Sequence, residues 1–437
     1  MNLLLNLKNH DDLWKVMKNS GWLIVDKFAR GFFTLYVGIW VARYLGPERY
    51  GELSFALACL AFFQIASTLG LDNIIIRDIA HVQHGDDLKN SKEKIGEILG
   101  TVFLMRIIAG VCFWIIATSG MFFFADNEIA ILALIAGAPL LFQSVDTIDI
   151  WFQSQSQSRL TVLSKMFAYT LANGIRVIFI MLELPVIYFA LAISIEWAFA
   201  AGALIYAYGK FNCGSKFTFS ISGTGMKLIK ESWPYLMSGI AIISYMRIDQ
   251  LMIKSLIDDY SLGLYSAILP LATTWYFIPM MLSMSLMPIL AKKMKISRNN
   301  FLNSFRKIYV IFLIIGIVIS TVIMTSASML VNLLFGDTYV MGINSLRIYG
   351  LSALPVCLGF AYNLYLVNHG NSKSALYRTI AGALGTFLVG WIFIPLYGLE
   401  GASIAGVVGY VVADVIMPII ISKNLFLFMI NKKYNSI

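Results

Sequence analysis

The 437-residue sequence is short of charge, cysteine and histidine, and each shortage excludes something. Charged residues make up 13% of the chain, against about 25% in an ordinary soluble domain. The four cysteines, Cys59, Cys112, Cys213 and Cys357, lie far apart without C-x-x-C spacing, so neither a zinc site nor a disulfide framework is suggested. The four histidines form no H-E-x-x-H pattern, and His81 and His84 read as a solvated loop pair. No phosphate loop of the G-x-x-x-x-G-K-S/T type occurs, and no connection is long enough for a soluble nucleotide-binding domain. Any pumping by this chain must therefore draw on a gradient. The first apolar window carries charges and lacks a small-residue cleavage site, so a retained first span and no signal peptide are expected.

What the chain has in abundance is apolar sequence, 59% of its residues. Windows of about 20 apolar residues, each sufficient to cross a bilayer, recur from Trp22 to Ile421. The expected fold is an all-α polytopic membrane protein of twelve transmembrane helices. The spans are 22–41, 53–71, 98–124, 129–150, 166–182 and 186–206, then 233–253, 264–290, 308–334, 343–367, 379–396 and 402–421.

Orientation follows from lysine and arginine, which are retained in cytoplasmic connections. The net charge of +9 hides a strong asymmetry: 24 of the 33 bases fall on the N-terminus, the C-terminus and the even-numbered connections, while the odd-numbered ones hold Arg43, Arg49 and Lys254. Both termini are expected in the cytoplasm, and no soluble basic segment remains to bind nucleic acid. The longest mid-chain connection divides the spans six and six. The expected organisation is a cytoplasmic N-terminal segment (1–20), an N-lobe (21–209), a cytoplasmic linker (210–231), a C-lobe (232–422) and a cytoplasmic tail (423–437). An even number of crossings makes the lobes parallel repeats. The spacing agrees, since Trp22 to Leu53 and Trp233 to Leu264 are both 31 apart, with Gly51 and Ser54 matched by Gly263 and Ser266.

Six bases remain within spans: Lys27, Arg30, Arg106, Arg176, Arg247 and Arg347. Each costs about 2.5–3.5 kcal/mol at a helix centre, so each should face water or a partner and not lipid. Acids within spans are Asp26, Asp146, Asp149, Glu196, Asp249 and Asp414. Asp26 and Arg30, at i,i+4, share a helix face and can neutralise each other. Lys27 lies close enough to the cytoplasmic end to snorkel. Asp146 and Asp149 read most simply as hydrated carboxylates near a helix end. Arg247 and Asp249 are two apart, point to different faces, and need partners elsewhere. A cleft lined by arginines suits an anion, above all phosphate oxygens. Asp249, Glu196, Asp414 and Asp26 are the carboxylates available to couple transport to H+ or Na+, with internal ion pairing the alternative. Trp151, Trp197, Trp275, Tyr276, Tyr349 and Tyr362 are aromatic enough to stack on sugar rings, although belt and packing roles account for most aromatics in spans.

Three stretches resemble one family. Ala42-Arg43-Tyr44-Leu45-Gly46-Pro47-Glu48-Arg49-Tyr50-Gly51 looks like the A-R-x-L-G-P-x-x-Y-G signature of Wzx-type polysaccharide flippases. Asp149-Ile150-Trp151-Phe152-Gln153 resembles their fourth-helix W-F-F-Q-G segment, with Ser154 in place of the usual glycine, and Arg247-Ile248-Asp249-Gln250-Leu251-Met252-Ile253 resembles their R-x-D-x-x-x-I pattern. The resemblance implies a two-lobed exporter of the multidrug/oligosaccharidyl-lipid/polysaccharide (MOP) superfamily in a bacterial inner membrane. Such a protein moves undecaprenyl-pyrophosphate-linked oligosaccharide, an O-antigen or related repeat unit, from the cytoplasmic to the periplasmic leaflet, with a polysaccharide polymerase and a chain-length regulator as further partners. The implied substrate site draws on Arg30, Arg106, Arg176, Arg247, Lys27 and Arg347, with no cofactor beyond a coupling ion. Two alternatives stay open: a multidrug or cation antiporter of the same superfamily, and a membrane-embedded glycosyltransferase or polymerase. The second lacks a plausible acid/base constellation.

Overall fold

The computed structural model describes residues 2–83, 88–155, 157–211, 217–218, 223–369 and 372–430. His84, Cys213, Lys216, Lys432 and Lys433 lie outside the described residues, as do parts of the 210–231 linker and the 423–437 tail; the side chains of 1–20 are likewise not described. Among the described residues every regular element is helical, the state in which a lipid-embedded backbone satisfies its own polar groups. Among the described residues nine helical stretches are long and apolar enough to cross a membrane. Two of them, Val25–Ser67 and Lys373–Ile421, have 43 and 49 residues, enough for two crossings each. They bend at Gly46 and Gly398, whose φ angles of 71° and 58° lie in the left-handed region that glycine alone enters without strain. Pro47 follows Gly46 and disfavours helix at the preceding residue. A further helix, Ser158–Met181, carries Arg159, Lys165 and Arg176 and so falls short on composition, not on length. Twelve crossings result among the described residues.

The chain divides into two compact units. The first takes the chain up to Val41 together with Cys59–Leu236; the second takes Ala42–Ala58 and the chain from Met237 on. The first unit contains most of α1 (Asn2–Ser67), then α2 (Asp72–Gln83), α3 (Leu88–Phe124), α4 (Asn127–Ala136), α5 (Pro139–Phe142), α6 (Asp146–Ser154), α7 (Ser158–Met181) and α8 (Val186–Phe211). Its core joins Leu71, Ile74 and Ile79 of the α2 region to Leu99 of α3, Phe152 of α6 and Leu204 of α8. The fourth crossing is broken between α4 and α6. Pro139 opens α5, and a 3-10 turn spans Gln143–Val145. Two carbonyls at the break find side chains, as buried backbone must: Trp114 Nε1 donates to Leu134 O at 3.0 Å, and Ser194 Oγ donates to Ile135 O.

The second unit begins on α9 (Gly223–Leu256), whose first turns lie in the first unit, and continues through α10 (Asp259–Thr273), α11 (Phe277–Ile296), α12 (Arg298–Leu334), α13 (Ile343–Gly350), α14 (Ala353–His369), α15 (Ser372–Val411), a π-helical turn Val412–Ile416, α16 (Met417–Ile421) and α17 (Lys423–Ile430). On α12, Val310, Ile314, Ile317 and Val318 are exposed while Phe305, Phe312, Ile319 and Ile323 are buried, the two faces of a helix between lipid and protein.

The residues matched between repeats meet inside this unit. A Cβ on Gly51 would stand 1.9 Å from the Asp259 carbonyl oxygen, and one on Gly263 would stand 1.7 Å from that of Pro47. The contact is reciprocal, each glycine against the carbonyl one turn before the other, so both positions exclude a side chain. Nearby, Tyr339 Oη donates to Ala42 O at 2.6 Å. The 42–51 motif is thus a backbone crossing within the second unit.

Candidate functional site

The first unit holds a solvent-open cavity lined among others by Arg30, Asp146, Lys165, Tyr169, Glu196 and Trp197. α1 brings Arg30, the turn into α6 brings Asp146, α7 brings Lys165 and Tyr169 one turn apart, and α8 brings Glu196 and Trp197. The Arg30 guanidinium lies over the Tyr169 ring, 4.3 Å from its centroid, within cation–π range. It also faces Asp26 at 3.6 Å on its own helix, as the i,i+4 spacing leads one to expect. At that length the pair is loose: Arg30 Nε and Asp26 Oδ1 are buried without hydrogen-bond partners.

Lys165 is the cation that sequence reasoning left among the connection bases. It begins no loop but lies inside α7, where its ammonium reaches Asp149 Oδ2 at 2.5 Å and Asp146 Oδ1 at 3.1 Å. Asp146 and Asp149 are therefore ion-paired rather than merely hydrated. Gln153 Nε2 donates to the other Asp149 oxygen at 2.8 Å, which gives the Asp149-to-Gln153 stretch a local role: it aims one carboxylate at Lys165. Trp151 and Phe152 between them are core residues. Arg378, one residue before the expected span 379–396, also belongs to a helix, α15, where it donates to Asp414 Oδ1 at 2.8 Å. A signal for both was present. The expected spans 166–182 and 379–396 sit at the lower limit of about 17 residues for crossing a bilayer, and lengthening each at its start takes in Lys165 and Arg378.

The remaining candidates disperse. Arg176 Nη2 meets Glu196 Oε2 at 2.7 Å, and its Nη1 donates to Asn173 at 2.9 Å, so the cavity sees the carboxylate more than the base. Arg106 is 1% exposed and pairs with Asp72 at the start of α2, a contact that pins α2 to α3. Lys27 is exposed. In the second unit, Arg347 is exposed and donates to Ser328 Oγ at 2.7 Å. Arg247 donates to Gln250 Oε1 at 3.0 Å, one turn along its own helix, where a partner on another helix was expected. Among the basic candidates named from the sequence, Arg30 is the one that lines the cavity.

Asp249 is 1% exposed and accepts from Tyr265 Oη at 2.6 Å and from the Gln250 amide at 2.8 Å. Tyr265 begins a chain of rings: its centroid lies 6.2 Å from that of Tyr349, and Tyr410 stands among Tyr349, Tyr245 and Tyr276 at 6.4, 5.3 and 6.0 Å. Tyr276 also bonds Ser352 at 2.6 Å. Tyr276 and Tyr349 are thus packing partners here. Trp197 lines the cavity; Trp151 is buried in the core, Trp275 is exposed, and Tyr362 bonds Ser422 at 2.8 Å. Among the described residues no group of three metal-ligating side chains occurs.

Residues 16–294 match the family described as polysaccharide biosynthesis protein. No curated protein matches the sequence significantly. In fold the chain is similar to a multidrug resistance MATE family transporter of the MOP superfamily in its inward-facing conformation, with a TM-score of 0.73 and 16% identity over 93% of this chain and 96% of that one. It is similar also to the lipid II flippase MurJ in an inward closed conformation, with a TM-score of 0.68 and 14% identity over 95% and 92% of the two chains.

Proposed function

We propose, from the premise that the chain belongs to the polysaccharide biosynthesis protein family, that it is a flippase for undecaprenyl-pyrophosphate-linked oligosaccharide. It carries an O-antigen or related repeat unit from the cytoplasmic to the periplasmic leaflet of a bacterial inner membrane, with both termini in the cytoplasm. The observation that carries this reading is Arg30, a guanidinium within the span region that faces a cavity with an Nε donor unused and only a 3.6 Å ion pair to give up. A phosphate offers it shorter, charge-assisted bonds. Trp197 and the carboxylates Asp146 and Glu196 in the same lining suit sugar faces and hydroxyls. Alternating access then moves the head group while the lipid tail stays in the bilayer. No bond is made or broken.

Coupling to H+ or Na+ is assigned to Asp249. Asp26, Asp146, Asp149, Glu196 and Asp414 each have a base within 3.6 Å. Among the described residues Asp249 has hydroxyl and amide donors but no base at ion-pair distance, so a bound cation is its natural counter-charge. The test is reconstitution into liposomes with the lipid-linked oligosaccharide, reading leaflet exposure under imposed pH and Na+ gradients. Protein-dependent exposure that is lost in Arg30→Gln and responds to a gradient is expected; exposure unchanged by the protein overturns the reading. The acids in the cavity lining favour one competitor, a cation-exporting antiporter like the MATE transporters, and drug resistance conferred by the chain without any effect on polysaccharide would select it.

A further inference from the structure

Two cations converge on the cavity, and side-chain carboxylates occupy both. Lys165 and Arg30 share its lining, linked through Tyr169, which lies one turn from Lys165 and under the Arg30 guanidinium. Like charges brought together in a low-dielectric site repel unless anions sit between or beside them. Asp26 serves Arg30, and Asp146 with Asp149 serves Lys165. One ammonium between two carboxylates leaves that group with a negative charge to spare. The two aspartates are unequal: Asp149 is held from its far side by Gln153, while Asp146 is the more exposed and lines the cavity itself.

Resting on the flippase reading of this cavity, we infer that Lys165 is the second phosphate-binding base and that Asp146 and Asp149 are its internal stand-in for the substrate anion. When the lipid pyrophosphate arrives, Lys165 exchanges the aspartates for a phosphate oxygen while Arg30 takes the neighbouring phosphate. Lysine suits such an exchange, being a compact charge with three donors on a flexible stem, whereas a bidentate arginine pair would be slower to give up its geometry. The exchange has a purpose. An anion held by two unopposed cations would bind tightly and leave slowly; an internal competitor lowers the affinity by the fraction of time the base is occupied and closes the site behind the departing head group.

Lys165→Gln alone would leave two carboxylates without their base and endanger folding. The test therefore compares D146N/D149N, which keeps the Lys165 charge, with D146N/D149N/K165Q, which removes it, both as purified full-length protein shown to be folded by its thermal transition, with undecaprenyl pyrophosphate as probe and undecaprenol as the uncharged control. D146N/D149N is expected to bind the pyrophosphate at least about tenfold more tightly than the wild-type chain, and adding K165Q to abolish that gain, the scale of one charged hydrogen bond. A triple variant that binds as tightly as the double, or a double variant no tighter than wild type, overturns the proposal. Arg30→Gln separates the two levels. If it weakens binding while double and triple variants agree, the cavity reading stands and the exchange falls; if the wild-type chain prefers the pyrophosphate no more than undecaprenol, both fall together.

Discussion

In the first unit Arg30, Lys165 and their carboxylates are gathered round a cavity; in the second Arg378 and Asp414 are sealed into packing. Arg30 keeps 41% of its side chain exposed and holds Asp26 at 3.6 Å, whereas Arg378 is 12% exposed and holds Asp414 at 2.8 Å. The second pair has been given its space by the backbone: a Cβ on Gly359 would stand 2.3 Å from the Asp414 carboxylate, which itself rides on the π-helical turn Val412–Ile416. Asp249 is enclosed too, but by neutral donors, the Tyr265 hydroxyl on one oxygen and the Gln250 amide on the other. The difference teaches that an intramembrane charge does not declare its role. A loose, half-exposed pair is available for exchange with a ligand; a short, enclosed pair is expensive to open and fixes helices in place.

That contrast is breakable. The largest effect is expected from Arg378→Met, which leaves Asp414 buried without its base and should lower stability by about 3–5 kcal/mol, read by thermal unfolding of the detergent-solubilised protein; Arg378→Met with Asp414→Leu should recover most of it. Tyr265→Phe removes a hydroxyl from a buried carboxylate and should cost about 1.5–3 kcal/mol in the same measurement. In the first unit the signature reverses. Arg30→Gln should slow flipping in proteoliposomes by about tenfold or more, equivalent to about 1.4 kcal/mol, while the unfolding temperature hardly moves; a stability loss as large as that of Arg378→Met would erase the distinction between the units. Lys27→Gln is expected to change stability by no more than about 0.5 kcal/mol and flipping not at all, because Lys27 is exposed and outside the cavity lining. A flipping defect there equal to that of Arg30→Gln would show that charge in the first helix matters more than the cavity.

The fold was far more legible than the site. Apolar windows count crossings because bilayer thickness sets a length that one-dimensional sequence records, and the Asp26–Arg30 pair could be read from helical spacing. Lys165 could not be placed by the same means. A base at the edge of an apolar window looks alike whether it ends a loop or opens a helix, and its partners Asp146 and Asp149 stand 19 and 16 positions back in another helix, across a connection. Arg378 and Asp414 are 36 apart. Arg106, as deep in the sequence pattern as Arg30, turned out to be a clasp on α2, and nothing in its own helix distinguishes the two.

The 42–51 motif lies between these extremes. Its repeat partner was visible in a matched spacing of 31 residues and in the pairing of Gly51 with Gly263, but only the tertiary structure brings those two glycines together, backbone against backbone. By itself, then, the sequence determined that the chain is a twelve-helix membrane protein, since lipid imposes length and polarity locally on every crossing. Which charges oppose one another, which cation faces a cavity and which is locked away were decided by the tertiary structure, because an ion pair depends on a few ångströms between helices that the order of residues along any one helix does not contain.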